Sequence, residues 1–84
     1  MKVLNFKKED KEIVESIKKL LEKEKIEGDL VILPDEELKG AIFAKVYANN
    51  VKNPEEAVNK TKKLTKEIER LFPNKYIVFS IHRA

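Results

Sequence analysis

Asn53-Pro54-Glu55-Glu56-Ala57-Val58 is the stretch from which the fold unfolds in both directions. Asparagine offers a side-chain oxygen to the orphan amides of a helix start, and proline suits the first helical position. Glu56 stands where a capping-box carboxylate reaches back. The helix opened here runs to about Phe72, where Pro73-Asn74 stops it. Ala57, Val58, Thr61, Leu64, Thr65, Ile68, Leu71 and Phe72 recur at helical spacing and form its apolar stripe.

Before this helix, Ala41 to Ala48 alternates as a strand and Asn49-Asn50 ends it. Leu30-Val31-Ile32-Leu33, closed by Pro34, is a compact β-prone run. Pro34 to Gly40 reads as the turn between the two strands of a hairpin. Further back, Lys8 to Lys25 carries Ile13, Val14, Ile17, Leu20 and Leu21 along one helical stripe among Lys and Glu. Gly28 is expected to supply the stop that a helix C-terminus commonly uses. Val3 to Phe6 is a candidate opening strand, and Tyr76 to Ile81, after the second helix, is the last one.

The order is (β)αββαβ, with no linker, repeat or low-complexity segment. Each helix has one apolar stripe, so both are expected to cover one face of an antiparallel sheet. The expectation is an α+β class protein, a two-layer ferredoxin-like plait, formed as one domain over residues 1–84.

Composition narrows the chemistry. In 84 residues, 42% are hydrophobic and 39% charged, which suits a small globule with a densely ionised surface. Cysteine is absent, which removes disulfides, thiolate metal sites and cysteine nucleophiles together. One histidine, two glycines and no tryptophan leave most catalytic and cofactor signatures unwritable, and no cofactor is expected. Sixteen lysines stand against two arginines, and glutamine is missing, a bias shared with hyperthermophile proteins. No apolar run approaches the ~18 to 20 residues of a membrane helix, and Met1 to Glu15 lacks the apolar core of a secretory signal. A cytoplasmic location is the default expectation.

The net charge of +3 conceals an asymmetry. Residues 1–42 hold nine basic and eleven acidic groups, whereas residues 43–84 hold nine and four. Lys63, Lys66 and Arg70, with Asn59, lie on the second helix opposite its apolar stripe. They form either a solvated face or a phosphate-binding stripe for nucleic acid. Lysines give point charges without bidentate geometry, so the stripe would not read sequence.

Strand alternation names a second candidate surface. Ile42, Ala44, Val46 and Ala48 share one face, with Phe43, Lys45 and Tyr47 on the other. In the last strand Ile77, Phe79 and Ile81 oppose Tyr76, Val78, Ser80 and His82. Lys45 and His82 mark the outer sets. Phe43, Lys45, Tyr47, Tyr76 and Val78 are therefore the expected contact surface, for a second copy or a protein partner.

Other chemistry is poorly supported. Ser80 and His82 share a strand face, but residues two apart stand roughly 6 to 7 Å apart along it, and neither has an evident orienting carboxylate. Asp35-Glu36-Glu37 lacks the alternating spacing of a calcium loop and reads as a solvated turn. Gly28 and Gly40 stand alone, so no phosphate-cradling loop exists. The expectation is a protein that is not an enzyme.

Two resemblances add to this reading. Lys39-Gly40-Ala41-Ile42-Phe43-Ala44-Lys45-Val46 resembles, faintly, the aromatic strand of RNA-recognition motifs, with Ala41 where a second ring is expected. Ile42-Phe43, Pro54-Glu55-Glu56-Ala57, Leu71-Phe72-Pro73-Asn74 and Ile81-His82 together resemble the C-terminal cytoplasmic domain of cation diffusion facilitator transporters, over about residues 9–84. That resemblance implies the same αββαβ order, pairing as dimers, and metal binding near the dimer contact. Only His82 matches a metal-binding position. Tyr47 and Val58 stand where the family often has histidines.

Overall fold

The computed structural model describes residues 3–4, 10–34 and 40–84. Its elements run β1 (Val3–Leu4), α1 (Lys11–Lys23), β2 (Gly28–Pro34), β3 (Ala41–Ala48), α2 (Pro54–Leu71) and β4 (Tyr76–Arg83). Asn5 and Phe6, the end of the expected first strand, lie outside the described residues, as do 35–39 of the expected turn and the acidic run within it. No helix among the described residues is long and apolar enough to cross a membrane.

The α+β class and the two helices are as the sequence implies, but the sheet differs from the expected plait. Its strands lie in the sequential order β1-β2-β3-β4 rather than interleaved, and it is mixed rather than antiparallel. β2 and β3 form the antiparallel hairpin from Gly28↔Ala48 to Pro34↔Ile42. β1 pairs parallel to β2, and β4 parallel to β3. A plait places its first strand in the middle of the sheet, whereas the described part of β1 lies at the edge, paired with β2 through Val3↔Leu30 and Leu4↔Val31. The place beside β3 goes to β4, which pairs with it from Ala41↔Tyr76 to Ala48↔Arg83.

Both helices bury their stripes in one core. Ile13, Val14, Ile17 and Leu21 of α1 and Ala57, Leu64 and Ile68 of α2 join Leu30, Ile32, Ala44, Val46, Phe79 and Ile81. Small and large alternate across the strands, with Ala44 beside Phe79, so the layer fills without overlap. Val58 and Leu71, placed in the α2 stripe by spacing, are about half exposed and do not belong to the core. With both helices on one face, sequential order and two parallel pairs of opposite direction make the two crossovers opposite in hand. Right-handed connection is the strong preference, so one of the two departs from it.

The helix ends follow local chemistry. Asn53 Oδ1 accepts from the Glu56 amide at 2.8 Å, with Pro54 in the first turn. The Glu56 carboxylate reaches back one residue further than a capping box, to the Lys52 amide at 3.2 Å. Gly28 does not stop α1. Lys25 does, in the left-handed region at φ 57°. The Lys25 amide donates to Glu22 O and the Ile26 amide to Leu21 O, while the buried Leu21 and Ile26 side chains complete a Schellman end. Asn50 clamps this turn by donating to Lys25 O at 2.6 Å and accepting from the Glu27 amide at 3.0 Å.

Thr61 joins α2 to the outer edge of the sheet. Its hydroxyl donates to Ala57 O at 2.7 Å and accepts from the Ile81 amide at 3.1 Å. An edge amide that strand pairing leaves open is thereby satisfied. Thr61→Val keeps the side-chain shape and removes the acceptor. It is expected to cost about 1–2 kcal/mol, read as a lower urea midpoint with an unchanged slope.

Candidate interaction surface

Alternation places the surface, and the register orders it. In β2, Leu30 and Ile32 are buried, so Asp29, Val31 and Leu33 face the other way. The pairings align these with β3 and β4 in three rows across the sheet. Leu33, Phe43 and Val78 form one row, Val31, Lys45 and Ser80 the next, and Asp29, Tyr47 and His82 the third. Among the described residues no helix covers this face, which has an apolar end, extended by Tyr76, and a polar end.

Of the five residues expected to form a contact surface, Tyr76 is 62% exposed, Tyr47 41% and Val78 36%, while Phe43 and Lys45 are half-buried by their neighbours. All five lie on this face, together with Asp29, Val31 and Leu33, which alternation does not single out. The run Leu30-Val31-Ile32-Leu33 is apolar throughout, so periodicity alone cannot assign its faces. Only the pairing does.

The polar end is ordered by contacts among its own side chains. The Tyr47 and His82 rings stack with centroids 5.5 Å apart and planes 27° from parallel. Ser80 Oγ lies 2.9 Å from His82 Nε2. Backbone spacing alone suggests that this pair is too far apart, but the two side chains lean toward each other and close the gap. The pair is exposed and, among the described residues, has no carboxylate on the second ring nitrogen. It therefore lacks the orienting partner that a serine nucleophile's base requires. His82, the single metal-ligand candidate, has no cluster around it: no group of three or more His, Asp or Glu that could hold an ion occurs among the described residues.

The basic stripe of α2 is partly neutralised within the fold. Lys63 Nζ lies 2.9 Å from Glu24 Oε1, which ties α2 to the end of α1. Arg70 is paired with Glu67 one turn earlier. Lys66 is exposed. Two of the three cations expected to meet phosphate are thus already opposed by carboxylates.

The hydrogen bond from Lys63 holds the Glu24 carboxyl below the usual glutamate value. The charges of Lys63, Lys60 and Lys23 act in the same direction and outweigh partial desolvation. A depressed carboxyl adds stability above its unfolded value, and that stability is lost as pH falls through the folded one. Acid titration of wild type should therefore show a loss beginning near the ordinary glutamate value, about 4.3, and completed below it. Lys63→Gln is expected to flatten that limb of the stability profile. Because Lys63 is largely exposed, added salt should flatten it too.

Shallow grooves lie at two other places among the described residues. One is lined by Glu22, Lys25, Ile26, Glu27 and Gly28 below the end of α1. The other lies between Thr65 and Glu69 of α2 and the stretch Lys75 to Phe79. Compared with family models, with curated proteins and with solved structures, the chain gives no match.

Proposed function

We propose that this chain is a non-enzymatic interaction domain that pairs with a second copy, or docks a protein partner, through the uncovered face of its sheet. The observation that supports this reading is the row Leu33, Phe43 and Val78, extended by Tyr76, on the sheet face that neither described helix covers. Contiguous apolar surface of this kind gains free energy when covered. The resemblance of its short motifs to transporter cytoplasmic domains that pair as dimers points the same way. Sedimentation equilibrium from micromolar to millimolar concentration tests the reading. Wild type should show a monomer–dimer equilibrium that Tyr47→Glu shifts to monomer. A strict monomer that Tyr47→Glu leaves unchanged sinks self-association.

Nucleic-acid binding through Lys63, Lys66 and Arg70 is the alternative, favoured by the concentration of positive charge in the second half of the chain. It requires affinity for RNA or DNA that falls steeply with salt and weakens in a Lys63→Glu, Lys66→Glu variant. The ion pairs of Lys63 and Arg70 count against it. Absence of binding at low salt ends it.

A further inference from the structure

The two ends of the uncovered face dictate how two copies can meet. This inference rests on the self-association proposed above and adds its symmetry. The geometry points to a face-to-face dimer whose two-fold axis runs along β3, parallel to the strands. Such an axis keeps each row over its own image and exchanges β2 with β4. Leu33 then lies over Val78 of the second copy and Phe43 over Phe43, so apolar surface meets apolar surface. In the polar row Asp29 faces His82 of the second copy, and Tyr47 faces Tyr47. A carboxylate thereby meets an imidazole that can donate to it.

An axis across the strands, centred on Lys45, does the opposite. It stacks Asp29 over Leu33, Tyr47 over Phe43 and His82 over Val78, so the polar row is desolvated by the apolar one without partners. Both axes leave the strands of the two sheets aligned, the common arrangement of stacked sheets, so the match of the rows decides between them.

Size sets the strength. Three strands about 4.8 Å apart and seven rises of about 3.3 Å give a footprint well below what a stable dimer buries. Stable interfaces take about 800 Å² from each partner, so this dimer forms and separates with concentration. Lys45 meets its own image near the axis, and its charge weakens pairing further at low salt.

The chain contains no cysteine, so single thiols can be placed at will. Phe43→Cys and Tyr47→Cys each put a thiol opposite its own image if the axis runs along β3. A short bis-maleimide spanning the about 10 Å between packed sheets should link either variant into a dimer. The expected rate is at least about tenfold above that of Val58→Cys, an exposed control on α2, because pairing raises the effective thiol concentration. Tyr47 is exposed, so Tyr47→Cys stays informative if Phe43→Cys folds poorly. A dimer in sedimentation with both variants linking no faster than the control overturns the axis and leaves self-association standing. A monomer at all concentrations overturns both.

Discussion

Gly28→Ala is expected to lower the melting temperature by about 15–25 °C, from a cost of about 3–4 kcal/mol in a domain of this size. A Cβ at this position would stand 2.1 Å from Tyr47 O and 2.8 Å from its carbonyl carbon, with Ala48 Cα at 2.9 Å. All three are backbone atoms of the paired strand, so no side chain can turn aside. The hairpin itself must open at Gly28↔Ala48. The backbone there also has φ 156°, which alanine adopts only with strain. Gly40→Ala is the matched control. It meets nothing within 4 Å and bears only the strain of φ 86°, so its cost should be nearer 1–2 kcal/mol. Differential scanning calorimetry of the two variants separates close approach from backbone strain. Equal melting temperatures for both would show that β3 does not pass Gly28 with Ala48 as its partner.

That glycine shows where local signals stop being legible. Its type and place after an apolar helical stripe suggest a helix stop, yet α1 ends on Lys25, held by Asn50 from the far end of β3. Nothing local marks Lys25, because the partner that secures its turn comes from a distant segment. Helix existence, the Asn53 cap and the strand positions are readable because they depend on spacing and on neighbours a few residues away. Strand order depends on which edge accepts which strand, and alternation is silent on that. In the mixed sheet the edge of β3 takes β4, with Phe79 beside Ala44, and a period of two does not reveal that choice.

The candidate surface is legible in the same uneven way. Phe43, Lys45, Tyr47, Tyr76 and Val78 can be assigned to one face because lysine and histidine interrupt their strands and fix the phase. Asp29, Val31 and Leu33 complete that face only through the hairpin register. The closeness of Ser80 and His82 escapes backbone spacing because rotamers decide it. The pairing of Lys63 with Glu24 joins residues 39 apart in sequence, so the stripe on α2 looks more open in sequence than it is in the fold.

The sidedness of β3 allows a test with the largest contrast. Val46→Asp is expected to leave the chain unfolded, whereas Lys45→Asp should change stability by no more than about 1 kcal/mol. Val46 is fully buried between Leu30 and Ile81, in the layer that both helices cover. A carboxylate there has no cationic partner within the apolar core, so it must be buried unpaired or protonated. Either route costs several kcal/mol. A small domain has only about 5–15 kcal/mol in total, and one of 84 residues falls toward the lower end of that range. One position away, Lys45 lies beside Val31 and Ser80 on the uncovered face, where water can hydrate a carboxylate. Circular dichroism and backbone amide dispersion in NMR would read the outcome. A slip of one residue in β3 would exchange the two results, because it sends every side chain to the opposite face. The pair therefore tests the register on which the whole surface depends. A folded Lys45→Asp protein also removes the like charge at the proposed axis only by introducing another. It should pair poorly with itself and well with wild type, where aspartate then faces lysine across the dimer.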